Sequence, residues 1–469
     1  MCQGVKGDRL PNNPSESQVI KIWQHQLLDR TGLITEDGEP IEIVYPGRIN
    51  DDQGADFRDA VIATSRGLIK GDIEIHVKSS GWREHRHHRD VVYNRVVLHV
   101  VLWHNTRMAT NLCNGRKVPI LALDKYIKIP ISQWSNLVCS SVTLNMPCFK
   151  AGRCLTADSM AGFLDRAGEE RFLAKAARFQ TDLAQMEASQ SLYQGIMGAL
   201  GYSKNKLPML KLARSLPLQI LESVTQDKIS DEECLARQQA LLLGTAGLLP
   251  SQRQDRHQED RLEDKWIDKL ERLWLSSRHT EAMSLNAWRL FKVRPNNSPV
   301  RRLVAMSYLI LRYRGKGILE ELVNLVREVP VSRGCQKLEK GLLVTTGGYW
   351  ASYFDFGSGN RIRSPTLVGS GRAADITVNV LLPFTFAWSQ LTSQPELEKK
   401  ACDLYRRYPK LAVNSVERHM AEQLGLSSSL VNSAQRQQGL IHIYNSRCTQ
   451  GRCRDCWLSQ LEAGNHVQI

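Results

Sequence analysis

No apolar run in this 469-residue chain approaches the roughly 18–20 residues that a membrane-spanning helix needs. The first residues, Met1 to Pro14, are polar and hold no apolar segment of the kind that directs export, so a cytoplasmic location and no membrane partner are expected. No Lys/Arg tail, low-complexity arm or internal repeat is present, which argues against an unstructured electrostatic arm and for a specific surface. The 11 cysteines are odd in number and come without an export signal. They are read as reduced thiols, with metal or cluster ligation where the spacing supports it, rather than as a disulfide framework.

What is present is an ordinary globular composition, 42% hydrophobic and 23% charged, in a chain long enough for two or three domains. The net charge of +14 makes a polyanion partner, DNA or RNA, reasonable.

Helical spacing of Val19, Ile20, Trp23, Leu27 and Leu28 follows Asn13-Pro14-Ser15-Glu16, where Asn13 is expected to cap and Pro14 to open the helix. Strands are expected over Ile41–Tyr45, Asp56–Thr64, Leu68–Lys78, Val96–Trp103 and Val118–Leu123, with a polar helix over 84–94. From about Thr156 the pattern becomes helical, with helices across 299–313, 316–328 and 395–425 and an exposed linker at Ser251–Asp260. The expected fold is an α/β domain at 1–150, a helical region at 151–330 with a surface for nucleic acid, and a mixed, mostly helical region at 331–469.

The segment Gly71 to Lys78 carries the densest chemistry. Side chains alternate along a strand, so Ile73, Ile75 and Val77 share one face and Asp72, Glu74, His76 and Lys78 the other. Asp56 ends up on the preceding strand. Two carboxylates on adjacent strands can share Mg²⁺ or Mn²⁺, and a base two residues beyond the second can position water or stabilise charge. His85, His87 and His88 follow, close to Trp82 and Asp90. Their alternation suits metal ligation by His85 and His87, a phosphate contact or a proton shuttle, and it equally suits a histidine-rich surface loop. His99, inside an apolar run, is expected to be a hydrogen-bonded core histidine.

Cys448, Cys453 and Cys456 are spaced C-x₄-C-x₂-C, which fits an iron–sulfur cluster or Zn²⁺ if a fourth ligand joins them. Cys148 is the first candidate, with Cys154 and Cys402 behind it. Gly369-Ser370-Gly371-Arg372-Ala373-Ala374 matches a dinucleotide-binding glycine pattern, but no acid lies in 390–395 where a ribose would need it. A tight turn into a strand-like or simply buried segment, 375–382, is expected there. Arg294, Arg301, Arg302, Arg312, Arg314 and Lys316, around Tyr313, could line a phosphate-tracking groove or simply face solvent.

The order helix, three strands, helix, strand, together with Gly54-Ala55-Asp56-Phe57 and Glu74-Ile75-His76, resembles the PD-(D/E)XK nuclease superfamily. That resemblance implies a restriction-endonuclease-like fold, Asp56 and Glu74 as metal ligands, and His76 where a lysine usually stands, with Lys78 on the same face. Some nucleases of that superfamily join one early and three late cysteines in an iron–sulfur staple, and Cys148 with the late three would correspond. More narrowly, the chain resembles the bacterial family known as domain of unknown function 2851. This resemblance rests on Pro46-Gly47, Asn50, Gly54 to Phe57, Gly71 to His76, Trp82, His85, His87, Asp90, Tyr93-Asn94 and Leu98 to Val101. It continues in Leu200-Gly201-Tyr202, Arg294 to Asn297, Asp375 to Pro383 and the late cysteines.

Metal-dependent phosphodiester hydrolysis on DNA or RNA, with Asp56, Glu74, His76 and Lys78 as its machinery, is the expected function. A nucleic-acid-binding protein with a degenerate nuclease fold is one alternative, and a zinc metalloenzyme acting on a small substrate through the His85 cluster is another.

Overall fold

The computed structural model describes residues 14–128, 134, 148–149, 155–224, 229–253, 264–277, 281–290, 293–357 and 360–458. Asn13, Cys154 and residues 254–260 of the expected linker lie outside them. The chain divides into two compact units. One comprises Met1–Gly168, Val413–Asn432 and Arg436–Ile469, and the other Glu169–Ala412 with Ser433–Gln435. This division differs from boundaries at 150 and 330, since the three late cysteines belong to the same unit as the N-terminal strands.

The first unit opens with α1, Glu16–His25. Ser15 rather than Asn13 stands at its N-cap. The Gln18 side-chain oxygen accepts the Ser15 backbone N–H at 2.8 Å, so Pro14 precedes the cap instead of filling the first helical position. Among the described residues nine strands follow: β1 Leu33–Ile34, β2 Pro40–Tyr45, β3 Arg48–Ile49, β4 Phe57–Thr64, β5 Gly67–Lys78, β6 Val96–Trp103, β7 Thr110–Asn111, β8 Lys117–Val118 and β9 Ile120–Ala122. The main sheet runs β1-β2-β4-β5-β6-β9, with β3 beside β4, and β7 pairs with β8. Its first half is antiparallel, because Ser65 and Arg66 with the left-handed Gly67 turn β4 directly into β5. The pairs β5–β6 and β6–β9 are parallel. Parallel pairing of successive strands needs a crossover. Between β5 and β6 it consists of α2, Gly81–Glu84, and 3₁₀ turns at His87–Arg89 and Val91–Arg95, in place of the regular helix expected over 84–94.

One face of this sheet buries Ile43, Phe57, Ile73, Ile75, Leu98 and Val100 against Val19, Ile22 and Trp23 of α1. On the other face, Tyr45 and Val61 of the antiparallel half pack with Met160, Leu164, Met420, Leu440 and Tyr444. The parallel half of that face carries the ionisable residues.

The second unit is helical around one large core. The helices expected at 299–313 and 316–328 occur as α3, Pro299–Arg312, and α4, Ile318–Glu328. The helix expected over 395–425 is two, Pro395–Arg406 in this unit and Ser415–Gln423 in the first. Residues 375–382 are buried but helical, not strand-like, lying in a run that continues from Ser370 through a π turn to Leu391. No helix of the described residues is long and apolar enough to cross a membrane.

Two arginines of the expected phosphate groove have a different task. Arg301 is fully buried, and its guanidinium donates to the carbonyls of Trp350 (2.5 Å), Tyr353 (2.9 Å), Ser364 (2.9 Å) and Thr366 (3.0 Å). Arg302 donates to Leu367 O, to the Tyr202 hydroxyl at 2.8 Å and to Asn297 Oδ1 at 2.8 Å. Both project from the buried face of α3 and supply donors to main-chain carbonyls between Trp350 and Leu367. Neither can line an exposed groove. Leaving several buried carbonyls without a donor costs about 1–3 kcal/mol for each that water fails to reach. Arg301→Ala should therefore lower the stability of this unit by at least about 2 kcal/mol. Urea unfolding followed by tryptophan fluorescence measures this, and an unchanged midpoint would show that water replaces the guanidinium.

Candidate functional site

The alternation of β5 sends Ile73 and Ile75 into the α1 core and turns Asp72, Glu74 and His76 to the opposite face. All three are buried, whereas Lys78 at the strand end is exposed. The row of four then separates. Asp72 Oδ1 accepts the Asp59 N–H at 3.2 Å and lies 3.6 Å from Arg95, so it braces the sheet. Lys78 shares with Glu16, His76, Glu84 and His85 the wall of a cavity of about 240 Å³.

Asp56 immediately precedes β4, and a bulge with left-handed Asp59 breaks the β4–β5 register between Phe57 and Ala60. Bulges re-aim side chains at the ends of strands. Here two carboxylates are brought together and tied by reciprocal main-chain bonds. Glu74 Oε2 accepts the Asp56 N–H at 3.1 Å, and Asp56 Oδ2 accepts the Ile75 N–H at 2.9 Å.

The crossover brings the histidines to the same place. One nitrogen each of His76, His85 and His87 falls within 4.8 Å of the other two, with His76 and His87 buried and His85 exposed. His76 Nε2 is 3.1 Å from His85 Nδ1 and 3.8 Å from Glu74 Oε1. His87 Nε2 is 3.0 Å from Glu74 Oε1. Gly81 permits this closeness, because a Cβ there would stand 2.6 Å from the His76 ring. His87 stacks on Tyr93, with ring centres 3.9 Å apart, and Trp82 closes the wall, its indole N–H donating to Asn111 O at 3.0 Å. His88 stands outside the trio, and Asp90 caps the turn that follows through the Val92 N–H at 2.9 Å.

Burial governs the electrostatics. It pushes the Asp56 carboxyl up to about 7, helped by the neighbouring Glu74 and opposed by the Ile75 N–H. Glu74 is pushed up to about 8 by burial, offset by the Asp56 N–H and raised further by Glu16. Burial and the surrounding imidazoles hold His76 down to about 2, so it is neutral at ordinary pH. A neutral imidazole offers a nitrogen lone pair where a lysine would offer a positive charge.

Three contributors escaped the sequence reading. His99 is buried and hydrogen-bonded as expected, but its Nε2 lies 2.9 Å from His76 Nδ1 while its Nδ1 lies 2.9 Å from Thr110 Oγ1. It faces Glu74 in the parallel register of β5 and β6, which a single sequence does not display. Tyr93 and Glu16 also border the site. The one available signal for Glu16 was its place in the first turn of a helix packed on β5.

His87 Nε2 is buried and, despite its 3.0 Å approach to Glu74, makes no hydrogen bond among the described residues. It belongs to a trio of imidazoles with His76 and His85, and the Glu74 carboxylate stands beside His87 and His76. This donor set fits a divalent transition ion better than Mg²⁺, which prefers oxygen throughout. Glu74, His76, His85 and His87 could hold such an ion, with Asp56 beside them. At a separate place in the same unit, Cys148, Cys448, Cys453 and Cys456 line one cavity, whereas Cys402 belongs to the other unit.

No curated protein and no solved structure matches the chain. A family model described as a protein of unknown function (DUF2851) matches residues 16–412, most of the length, and the chain belongs to that family.

Proposed function

We propose that the Glu74 site is a metal centre for hydrolysis of phosphodiester bonds in DNA or RNA. The observation that carries the reading is the convergence of three imidazole nitrogens within 4.8 Å, beside a buried carboxylate, at the parallel seam of a mixed sheet. The sequence of elements supports it. A helix, three antiparallel strands, a crossover and a parallel strand, with Asp56 before β4 and Glu74 on β5, is the arrangement expected of a PD-(D/E)XK nuclease. A net charge of +14 favours a polyanionic substrate.

In this reading Glu74, His85 and His87 bind the ion, Mn²⁺ or Zn²⁺ in preference to Mg²⁺, and His76 completes the set. An ion held there would lower the pKa of a bound water and draw charge from a phosphoryl oxygen. The residues around it supply orientation. With His76 Nε2 unprotonated toward the ion, its Nδ1–H donates to His99, and His99 Nδ1–H donates to Thr110, which fixes the ring as outer partners of metal ligands do. Asp56 and Glu74 stay locked by main-chain N–H groups, so neither needs to reorganise. Lys78, at the mouth, would meet the substrate phosphate as an exposed cation. The cavity there is small, about 240 Å³. That size together with three imidazoles is what favours the second reading, a zinc enzyme acting on a small substrate.

Glu74→Gln keeps the side-chain volume and removes the charge. It should lower cleavage of a mixed DNA and RNA panel in Mn²⁺ by at least about 100-fold, since even outer partners of a metal cost 10–100-fold. Nucleic-acid affinity should change little. Equal cleavage by both proteins would place the activity elsewhere, and silence from both with binding intact would leave a non-catalytic nucleic-acid-binding protein.

Asp56 and Glu74 hold protons more tightly folded than unfolded. In the metal-free protein their contribution to stability is complete below about pH 4 and is lost as pH rises through about 7 and 8. An ion competes with those same protons. Mn²⁺ affinity should therefore rise through that window with net proton release, read by calorimetry in buffers of differing ionisation enthalpy. Affinity independent of pH there would exclude these carboxylates from the site.

A further inference from the structure

A second site lies against the opposite half of the sheet, and nothing in the phosphodiesterase reading uses it. We propose that Cys148, Cys448, Cys453 and Cys456 ligate an iron–sulfur cluster that clasps the C-terminal segment of the first unit to its sheet.

The four sulfurs come from two distant stretches of chain yet border one cavity of about 510 Å³. Cys448 and Cys456 are buried, and Cys148 and Cys453 half-buried. The buried amide of Gln423 joins the early cysteine to the late ones. Its Nε2 donates to Cys148 Sγ at 3.3 Å and to Cys448 Sγ at 3.9 Å, which keeps those two sulfurs within about 7 Å of each other.

The late three are presented by two successive 3₁₀ turns, Cys448–Gln450 and Cys453–Asp455. The Gly451 N–H bonds to Cys448 O at 3.1 Å, and the Cys456 N–H to Cys453 O at 3.0 Å. Gly451 joins the turns in the left-handed region, at φ +68°, and a Cβ there would meet Val61 at 2.8 Å and Leu68 at 3.2 Å. Only glycine lets this loop lie so close to the sheet. Lys70 Nζ then donates to Gln450 Oε1 at 2.7 Å, and Cys453 Sγ lies 3.8 Å from Val44 O. The thiols are thus aimed by a docked scaffold.

Spacing selects the occupant. A tetrahedral zinc with bonds of about 2.3 Å would draw its four sulfurs to within about 4 Å of one another. Among the described residues, only the histidine trio brings three such atoms within 4.8 Å of one another, so no three of the four sulfurs are that close together. A wider cage around a cavity suits ligands bound to different irons, and C-x₄-C-x₂-C with one remote cysteine is a cluster spacing. Arg30, Arg447, Arg452 and Arg454 border the same cavity and match the net negative charge of a cluster held by four thiolates.

The test is made on the full chain. Protein purified without oxygen should contain iron and acid-labile sulfide in near-equal amounts, stoichiometric with chain, and absorb broadly in the visible. Cys453→Ala, at the half-buried ligand, should reduce both at least about tenfold. Cys402→Ala in the other unit should reduce neither, and His87→Ala should leave the cluster in place. Metal-free wild type given ferrous iron and sulfide should recover the absorption, which settles the matter even if a variant fails to fold. Stoichiometric zinc without sulfide would overturn the cluster, as would unchanged iron in Cys453→Ala or a wild type that takes up no iron on reconstitution.

Discussion

The burial of Glu74 is the constraint on which the rest of the first unit turns. A carboxylate removed from water is costly unless its oxygens are satisfied or it keeps a proton. Here one oxygen takes the Asp56 N–H, and the other faces His87 and His76. Both arrangements require particular backbone geometry. The first needs β4 bulged at Asp59, so that Asp56 arrives opposite β5. The second needs the crossover to fold back over the sheet in short turns, because a longer helix would carry His85 and His87 away. Gly81 and the parallel register of β6 then follow, the former leaving room for the His76 ring and the latter placing His99 behind it. Local irregularities that look like defects in strand and helix are in this sense what assembles the cluster.

The strands and their faces were readable because side-chain alternation has a period that cannot be mistaken over eight to twelve residues. Ile73 and Ile75 on one side and Glu74 and His76 on the other need only that periodicity. The helical pattern of α1, α3 and α4 was legible for the matching reason. What the sequence could not show was how strand neighbours register. His99 reads as a core residue when β6 is considered alone, and only its pairing with Glu74 makes it the partner of His76. The crossover between β5 and β6 was misread as a helix because its polar, histidine-rich sequence lacks the apolar stripe that distinguishes a helix from a series of turns. Lys78 followed the alternation correctly, yet exposure at the strand end separates it from the buried groups, a matter of depth that periodicity does not carry.

Arg301 and Arg302 illustrate the opposite error. Clustered basic residues on a helix suggest a surface for phosphates, and the rule fails where a buried guanidinium turns inward to several main-chain carbonyls. Five fixed N–H groups make arginine suited to that task. The same positive charge can therefore serve polyanion binding or internal hydrogen bonding, and burial decides which. For this chain the net charge of +14 overstates the charge available to a partner, since some of it is spent on carbonyls inside the second unit.

The two carboxyls and the histidine trio pose one remaining physical problem, and it bears on how the site is read. A metal-free site of this kind keeps neutral acids and neutral imidazoles, which explains how it can exist buried without an ion. His76 and His85 share a hydrogen bond, while His87 Nε2, though close to Glu74, makes none among the described residues. A structure selected only for stability would replace such a cluster with apolar side chains at little cost. In the proposed reading, three imidazoles and two carboxyls within reach of each other, held by a bulge, a glycine and His99 behind them, would be kept because an ion turns them into ligands and supports of ligands. A proton-rich metal-free form and a proton-poor loaded form would then be two forms of one proposed site, exchanging where the raised Asp56 and Glu74 carboxyls lose their protons.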